Sequence, residues 1–363
     1  MPNKKIYMIL TNGFDPDFRV LKEAIVLRNE GYEIEIICWD RKGDYKDQTY
    51  CIRDDGIIIK RMYIPSKPGT GIKQLIPFFK FMKRTKAYLN GKEYLCLHCH
   101  DFDGVVIGNY VQLLKKKSII FDMHECYKSK IYYKIRFAFQ HFINISKFVI
   151  HVNDEQINDW SGKDKAKCVF LPNYPEVKYF LPIEKILHKD SINVNYVGTV
   201  RDYNAINTLV ETSNKVDKIK IGIYGNGLAY ERLKQENKKE NVTIYGRFDA
   251  THEIGNIYRN TDLLYCVFDP ENYNWKTSFP TKLFEAIITR TPVIVSKNTV
   301  ASDFVQKNKI GESVPYMDAE ALSNAINKII SNYNFYKENL CKISKEYQWE
   351  DISKKLVEMY KKV

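Results

Sequence analysis

The chain has 363 residues, of which 44% are hydrophobic and 28% charged, and its formal net charge is +12. One hydrophobic core rarely serves so long a chain, so two domains are expected. The composition excludes disordered and fibrous classes of protein, and no apolar run approaches the roughly 18 to 20 residues of a membrane-spanning helix.

Strands and helices alternate along the first half of the sequence. Apolar runs predict strands at 6–10, 34–38, 94–97, 119–122, 148–152 and 168–171. Apolar residues at helical spacing predict helices at 20–27, 103–115 and 130–146. This alternation predicts a parallel, doubly wound sheet.

A polar stretch with several prolines, 173–190, interrupts this pattern and is predicted to be a linker. Further strands are predicted at 193–197, 220–224, 242–245, 263–267 and 293–295. Helices are predicted from 205, 228 and 281, near 253–259, and over 318–330, 334–346 and 349–361. The predicted fold class is α/β, with Rossmann-like domains at 1–172 and 191–348 and a last helix, about 349–363, that packs back on the first domain.

The cysteines have no disulfide-framework spacing, which favours reduced thiols in a cytoplasmic protein. Cys96, Cys99 and His100 spell the C-x-x-C-H motif of c-type haem attachment. We interpret this segment as a buried strand instead, because such haem attachment belongs to exported proteins. The first apolar run is brief and lacks a small-residue cleavage site, so it is predicted to be a strand and not a signal peptide.

The segment 278–286 combines a loop with the start of a helix. Pro280 suits an early helical position, so N–H groups and the positive end of the helix dipole meet Lys282 there. A diphosphate is the anion expected at this corner. Glu285 lies one turn further on, within reach of hydroxyl groups that the diphosphate carries. An exposed helix with an ordinary surface lysine and glutamate would give the same pattern.

Two predicted strands of the second series end in glycine turns. Gly198 and then Arg201 follow the strand at 193–197, and Gly225 and Gly227 follow the strand at 220–224. Ligands of open parallel sheets bind at the carboxyl ends of the strands. Glycine there lets the backbone approach a phosphate, and Arg201 is a candidate to neutralise it.

In their order along the chain, these pieces resemble glycosyltransferase family 4, a large family of retaining enzymes with the GT-B fold. The N-terminal half is similar over 13–17, 19–24 and 31–34, at His98-Cys99-His100-Asp101, at Asp122-Met123-His124-Glu125 and at Leu171-Pro172-Asn173. The C-terminal half is similar at Tyr196-Val197-Gly198, Tyr224-Gly225-Asn226-Gly227, 242–247, Asp262 and 280–295. The resemblance therefore covers nearly the whole chain.

The resemblance implies two domains that face a cleft and transfer of a sugar from a UDP- or GDP-sugar to an acceptor, as in hexosyltransferases. It implies catalytic roles for His124, Lys282 and Arg201. It implies donor-binding roles for Gly13, Gly198, Gly225, Gly227, Arg247, Pro280, Thr281, Lys282, Leu283 and Glu285. It implies acceptor-side roles for Asp17, Arg19, His100, Asp101 and Glu125.

Particular roles follow from the same resemblance. His124 would touch the transferred sugar, Glu285 would hold the ribose hydroxyls, and Lys282 would stabilise the leaving diphosphate without a metal. The sequence departs from the family where Thr277 replaces the first glutamate of a Glu-x7-Glu pair. It also departs where Thr199 and Ala205 stand near the usual arginine and lysine.

Neither a metal nor a cofactor is expected beside the nucleotide-sugar substrate. Asp101-Phe102-Asp103 matches the D-x-D motif that holds Mn²⁺ in a different glycosyltransferase fold. Here we interpret Asp101 as part of the acceptor-side wall and Asp103 as a helix N-cap.

The segment 73–89 has basic but no acidic residues, and it places Leu75, Phe78, Phe79 and Met82 at helical spacing. Such a helix suits an anionic membrane surface, although a stripe packed into the core has the same spacing. The expected partners are a nucleotide-sugar, a glycan or lipid-linked acceptor, and an anionic membrane. Nucleic acid is not expected, because no binding module is recognisable.

The expected location is the cytoplasm, peripheral on the inner face of the cell membrane, and the expected pathway is surface polysaccharide synthesis. Two other functions stay open. A nucleotide-sugar 2-epimerase uses the same two lobes and the same diphosphate corner. A non-catalytic partner subunit of a glycosyltransferase would explain Thr277 and Thr199.

Overall fold

The computed structural model describes residues 4–14, 17–67, 71–112, 117–127, 136–180, 187 and 190–363. The chain divides into two compact units. The first comprises Met1–Pro172 and Ser353–Val363, and the second is Asn173–Ile352. Each unit is built on its own mainly parallel sheet, as the α/β prediction requires. Much of the predicted linker, 181–186 and 188–189, lies outside the described residues.

The sheet of the first unit has eight strands in the order β3-β4-β2-β1-β5-β6-β7-β8. All neighbours pair in parallel except β3 and β4, which are antiparallel. The strands are β1 (Lys5–Ile9), β2 (Glu33–Asp40), β3 (Tyr50–Ile52), β4 (Ile58–Tyr63), β5 (Cys96–His100), β6 (Ser118–Met123), β7 (Phe148–His151) and β8 (Cys168–Phe170). All five residues of β5 are buried, which confirms the strand interpretation of Cys96 and Cys99.

Helices pack against this sheet. They are α1 (Phe18–Asn29), α2 (Leu75–Leu89), α3 (Asp101–Gln112), α4 (Arg136–Ile145) and α5 (Gly162–Lys165), with 3₁₀ turns at Lys46–Gln48, Gly71–Gln74 and Asp154–Gln156. Buried residues of α2, α3 and α4 share one core cluster, which includes Phe81, Ile107 and Phe142. The predicted start of the helix at 130–146 and the predicted end of the one at 103–115 lie outside the described residues.

The sheet of the second unit has six parallel strands in the order β11-β10-β9-β12-β13-β14. They are β9 (Ile192–Val197), β10 (Ile219–Tyr224), β11 (Val242–Gly246), β12 (Leu263–Cys266), β13 (Val293–Ser296) and β14 (Gly311–Val314). The strand order changes direction between β9 and β12. In such sheets a ligand crevice forms at the carboxyl ends of the two strands on either side of that point.

The helices of the second unit follow the βα alternation. They are α6 (Tyr203–Thr212), α7 (Tyr230–Glu236), α8 (Ile254–Arg259), α9 (Tyr273–Thr277), α10 (Thr281–Ile288), α11 (Val300–Asn308), α12 (Ala319–Ser331) and α13 (Tyr333–Ile343), with a 3₁₀ turn at Val177–Tyr179. The last helix, α14 (Trp349–Tyr360), contains the unit boundary, so its final residues belong to the first unit. No helix among the described residues has the length and hydropathy that crossing a bilayer requires.

One local prediction is wrong. Asp103 is not the N-cap of its helix, because α3 already begins at Asp101. The chain turns from β5 into α3 without a loop, and Asp101 takes up the turn with a φ of 60°. Asp103 therefore lies in the first helical turn.

Candidate functional site

The carboxyl ends of β9 and β10 form a bare stretch of backbone. Gly198 and Gly225 follow these strands, and both have a φ of 134°, a conformation that favours glycine. A Cβ atom on Gly225 would lie 1.8 Å from the carbonyl oxygen of Gly198, and one on Gly227 would lie 2.3 Å from that of Val200. The two turns therefore pack backbone against backbone. The glycines leave no room for side chains of their own at Gly225 and Gly227.

Lys282 extends over this edge from the first turn of α10. Its Nζ atom lies 3.0 Å from the position of a Cβ atom on Gly198. It also lies 3.9 Å from the ring centroid of Tyr196 and 4.9 Å from that of Phe268. These aromatic faces hold the ammonium group by cation–π attraction. A positive charge thus stands at the carboxyl ends of β9 and β12, where the strand order changes direction.

Pro280 directly precedes α10 as its N-cap residue, and Leu283 donates its N–H to the Pro280 carbonyl oxygen at 2.9 Å. The Leu283 side chain is buried in the core, so this residue contributes packing at the predicted donor site. The earlier N–H groups, of Thr281 and Lys282, precede the first intrahelical bond and face outward by helix geometry. The Thr281 hydroxyl accepts a hydrogen bond from Asn173 at 3.1 Å.

Glu285 lies one helical turn beyond Lys282 and is partly exposed. The hydroxyl of Tyr258 donates to its Oε2 atom at 2.7 Å. Burial, followed by the charge of Glu285, raises the pKa of Tyr258 well above its usual value, so the phenol stays a donor. The carboxylate is thereby oriented by a buried partner that the sequence did not suggest.

Arg201 and Arg247 are both exposed, after β9 and β11 respectively. The carboxyl ends of these parallel strands lie at the same sheet edge as Gly198, so the structure brings the predicted cations to that edge. Thr277 ends α9 and is buried, and its hydroxyl donates to the Tyr273 carbonyl oxygen at 2.8 Å. Next to it, the rings of Trp275 and Phe268 pack 5.3 Å apart.

In the first unit, the buried carboxylate of Asp122 near the end of β6 is the centre of a polar cluster. Arg19 donates to both of its oxygen atoms, from Nη2 to Oδ1 at 2.8 Å and from Nε to Oδ2 at 3.2 Å. Arg19 also donates to the Leu171 carbonyl oxygen at 3.0 Å and forms an ion pair with Glu23 at 3.1 Å. These contacts occupy the Arg19 guanidinium below the surface. It would therefore act on an acceptor only through Asp122.

Two histidines share the Oδ2 atom of Asp122. His100 Nδ1 lies 3.1 Å from it and His124 Nε2 lies 3.0 Å from it. His100 is buried, whereas His124 is partly exposed and turns its Nδ1 atom toward Asp101, at 3.4 Å from Oδ2. The Tyr127 hydroxyl and the backbone N–H of His124 both donate to Oδ1 of Asp101. His124 and Asp101 are therefore the accessible part of the cluster.

The burial and the charges in this cluster shift the pKa values of His100 and His124 in opposite directions. Burial, followed by the neighbouring His98, lowers the pKa of His100 to about 3, so His100 is neutral. Burial also lowers the pKa of His124, but Asp101 and Asp122 outweigh it and raise the pKa to about 9. The pKa of Asp122 falls well below its usual value because Arg19 and His124 offset the effect of burial.

A second layer lies beneath Asp122 and was not foreseen from the sequence. His98 is fully buried, its Nδ1 atom lies 2.8 Å from the hydroxyl of Tyr360, and its Nε2 atom lies 3.6 Å from Glu23. Burial, followed by Asp122, raises the pKa of Glu23 to about 8. Tyr360 stands 262 residues from His98 in the chain, so no local pattern could have paired them.

Glu23, His98, His100 and Asp122 bring potential metal ligands together, but the arrangement does not fit a metal ion. The rings of His98 and His100 are stacked, with centroids 4.4 Å apart and planes 15° apart. Imidazole binds a metal through a lone pair in the ring plane, and two nearly parallel planes cannot direct both lone pairs at one ion. The Arg19 guanidinium also already holds both oxygen atoms of Asp122.

The remaining predicted residues belong to the first unit. Gly13 accepts a hydrogen bond from Nε of Arg61 at 3.1 Å, so a residue of β4 holds the turn after β1. Asp17 is the N-cap of α1, with its side chain accepting from the backbone N–H of Val20. Glu125 is exposed, and its carbonyl oxygen accepts from Gln156 at 2.7 Å. Arg61 was missed because its strand was not predicted.

Comparison with known proteins bears on the family and the fold of the chain. Residues 183–348 match the family model described as glycosyl transferases group 1. No curated protein sequence matches the chain. Among solved structures, the chain is similar to sucrose-phosphate synthase from Thermosynechococcus elongatus, with 20% identity, 99% of this chain and 98% of that chain covered, and a TM-score of 0.78.

Two further structures share the fold. Anabaena HepE in complex with UDP-glucose has 13% identity and a TM-score of 0.73, with 99% of this chain and 100% of that chain covered. A Listeria monocytogenes protein named as a UDP-N-acetylglucosamine 2-epimerase has 11% identity and a TM-score of 0.68, with 98% and 95% covered. The chain thus has the GT-B fold over its whole length, and its second unit contains the segment that matches group 1 glycosyl transferases.

Proposed function

We propose that this protein is a retaining glycosyltransferase of family 4 that moves a sugar from a UDP- or GDP-sugar to an acceptor. The observation that carries the proposal is the position of Lys282 over the bare backbone of Gly198, at the carboxyl ends of β9 and β12. A cation and glycine turns at that point suit a diphosphate. The Anabaena relative is named as a complex with UDP-glucose, which supports a nucleotide-sugar donor.

The chemistry follows from where charge develops. When the bond between the sugar and the diphosphate breaks, negative charge grows on the leaving phosphate. The Lys282 ammonium group and the outward N–H groups of α10 are fixed in advance, so they stabilise that charge without reorganising. Glu285, oriented by Tyr258, is placed to accept hydrogen bonds from the ribose hydroxyls. In this proposal the second unit holds the donor nucleotide. In the first unit, His124 serves the transferred sugar, and Asp101 and its neighbours serve the acceptor.

Donor turnover with UDP- and GDP-sugars tests the proposal. Lys282→Ala and Glu285→Ala are each expected to lower kcat/KM or nucleotide affinity at least tenfold, which corresponds to about 1.4 kcal/mol. Lys276→Ala is the matched control, because Lys276 is an exposed lysine of the neighbouring helix α9. Wild-type rates in both site variants would contradict the site assignment. Turnover is also expected to persist in EDTA, because protein cations and amides serve the diphosphate.

A 2-epimerase is the second candidate, favoured by the likeness to the Listeria protein. Product analysis separates the two activities. A transferase releases nucleoside diphosphate in proportion to the glycosylated acceptor, whereas an epimerase yields a nucleotide-sugar that differs from the donor only in its configuration at C2, with no net release of nucleoside diphosphate. A chain that binds no donor and changes none would instead be a partner subunit.

We also propose that the acceptor is lipid-linked, of the kind used in surface polysaccharide synthesis, and that the enzyme binds the cytoplasmic face of an anionic membrane. The first two turns of α2 and the preceding 3₁₀ turn leave large apolar side chains exposed: Ile72 (84%), Ile76 (68%), Phe79 (50%) and Leu75 (49%). Lys73, Lys80 and Lys83 are exposed on the same segment. Apolar side chains flanked by lysines fit the interface of an anionic bilayer.

Co-sedimentation with vesicles tests this second proposal. Wild type is expected to bind vesicles that contain phosphatidylglycerol, and to bind less at high salt, because each lysine near the surface contributes about 1 kcal/mol. Lys80→Glu with Lys83→Glu is expected to abolish binding. Lys234→Glu with Lys238→Glu changes the net charge equally on exposed residues of the second unit and should retain binding. Wild type that stays in the supernatant would point to a soluble acceptor.

A further inference from the structure

His124 lies between two carboxylates that come from different elements of the first unit. Its Nε2 atom is 3.0 Å from Oδ2 of Asp122 in β6, and its Nδ1 atom is 3.4 Å from Oδ2 of Asp101 at the start of α3. Neutral imidazole has one N–H group, so it satisfies one of these carboxylates and turns a lone pair toward the other. Imidazolium has two N–H groups and satisfies both.

Asp122 cannot turn away from His124. Arg19 holds both of its oxygen atoms, and His100 holds Oδ2 from a third direction at 3.1 Å. All three side chains are buried, so water does not compete for these bonds. The position and negative charge of Asp122 are therefore set before any substrate arrives.

We propose that Asp122 is a positioning residue that holds His124 as an imidazolium, so that His124 brings a fixed positive charge to the site and does not act as a base. The role in catalysis rests on the proposed function, whereas the charge of His124 rests on the geometry of the first unit alone. An imidazolium has no lone pair with which to take a proton from an acceptor hydroxyl. Its two N–H groups already face Asp122 and Asp101, so it acts on negative charge that develops nearby through its positive charge.

The charged groups around His124 favour this state on balance. Asp122 and Asp101 lie at its two nitrogen atoms, whereas Arg19 on α1 opposes a second positive charge nearby. His100, from β5, approaches Nε2 at 3.1 Å as a neutral ring. Glu23, also on α1, lies behind Arg19, and Tyr127 donates to Asp101 and keeps that carboxylate in place. The two adjacent carboxylates therefore outweigh the single buried guanidinium.

The charge can be measured without any assay of activity. Nitrogen-15 NMR of protein labelled at histidine distinguishes imidazolium from neutral imidazole, and the resonances of His124 are assigned with His124→Gln. At pH 7.5 both nitrogen atoms of His124 are expected to be protonated, with a midpoint near 9. A neutral His124 at pH 7.5 in the wild-type protein would overturn the proposal without any variant.

Two variants test whether the carboxylates of Asp122 and Asp101 keep His124 protonated. Asp122→Asn keeps the shape but removes the charge, and it should lower the His124 midpoint by at least one pH unit, a tenfold change in proton affinity. Asp154→Asn is the matched control, because exposed Asp154 lies 3.8 Å from a different histidine, His151, and should leave His124 unchanged. Asp101→Asn removes the partly exposed carboxylate, so the two-carboxylate explanation can be tested even if Asp122→Asn does not fold. An unchanged midpoint in Asp101→Asn and in folded Asp122→Asn would refute the proposal.

Kinetics then separate this inference from the proposed function. If sugar transfer occurs, the kcat of Asp122→Asn should fall at pH 8 and partly recover at pH 6, where His124 regains its proton. A kcat that rises with pH as His124 loses its proton would show that His124 is a base. If NMR shows the imidazolium but no nucleotide-sugar is turned over, only the proposed function fails.

Discussion

Gly225 lies at a position where only glycine fits, because the carbonyl oxygen of Gly198 occupies the space that a Cβ atom would need. Gly225→Ala should strongly destabilise the second unit, because the new methyl group would sit 1.8 Å from the Gly198 carbonyl oxygen and the backbone has a φ of 134°. We expect a loss of more than about 3 kcal/mol in the free energy of unfolding, or no folded second unit at all.

Gly91→Ala is the control for this prediction. Gly91 also has a positive φ, 73°, but has nothing within 4 Å of a Cβ atom, so only backbone strain of about 1 to 2 kcal/mol is expected. Urea unfolding of both variants gives the comparison. Equal losses would mean that the contact between the two glycine turns relaxes easily.

At the scale of single residues, the sequence indicated the strand-end glycines, Lys282 and Glu285, because each lies in a local pattern. It could not indicate the partners that fix them. Tyr258 reaches Glu285 from 27 residues away and Tyr360 reaches His98 from 262 residues away. Such pairings depend on how the sheets bring distant segments together, and the spacing of residues within one element does not encode them.

At the scale of secondary-structure elements, α2 shows that apolar residues at helical spacing predict a helix but not which of its faces is buried. The sequence predicts one continuous apolar face on this helix, but in the structure some residues of that face are exposed and others are buried. Leu75 and Phe79 are exposed, whereas Met82 is buried beside Phe81, which lay outside the predicted stripe. Phe81 stacks on Trp39 with ring centroids 5.6 Å apart. The helix therefore has one face for the core and another for the surroundings.

Two substitutions in α2 should separate these faces. Phe81→Ala should lower the free energy of unfolding of the first unit by about 3 to 5 kcal/mol, because it leaves a cavity against Trp39. Phe79→Ala should change stability little but weaken binding to anionic vesicles, because its ring is half exposed. Thermal unfolding and co-sedimentation on both variants give the result. Weakened vesicle binding in a folded Phe81→Ala but not in Phe79→Ala would reverse the assignment of faces.

Strands β3 and β4 were missed for a physical reason. Tyr50–Ile52 is too short to show alternation, and Ile58–Tyr63 carries Lys60 and Arg61 in its centre. Arg61 is nonetheless buried, because its guanidinium is satisfied by the carbonyl oxygens of Gly13 and Phe14. A prediction based on apolar runs misses such a strand, because it treats a buried, hydrogen-bonded arginine as an exposed one.

At the scale of the whole molecule, the two units should respond differently to pH. The free energy of unfolding of the first unit should fall as the pH rises from 6.5 to 9. The pKa of Glu23 is raised from 4.5 to about 8 in the folded state. Its contribution to the free energy of unfolding is therefore full below about pH 4.5 and is lost as the pH rises through 8. The pKa of His124 is raised to about 9, so its contribution is lost between 6.5 and 9. Together they should remove at least about 1 kcal/mol from the free energy of unfolding.

Fluorotryptophan NMR during urea unfolding can resolve this loss by unit. Trp39 reports the first unit and Trp275 the second, which is the internal control. Glu23→Gln removes one titrating group and should flatten the decline seen at Trp39. A decline of the same size at Trp275 would mean that general charge repulsion, and not the buried cluster, causes it.

The discontinuity of the first unit has a consequence for how the protein is made. Its last piece, Ser353–Val363, follows the whole of the second unit in the chain. On the ribosome the second unit is therefore complete first, although the first unit begins earlier. Until Tyr360 emerges, the buried Nδ1 atom of His98 lacks its hydroxyl partner. A chain released before its final turn of helix would thus have a finished second unit but an unfinished first unit, which makes premature termination a fault that cellular quality control can recognise.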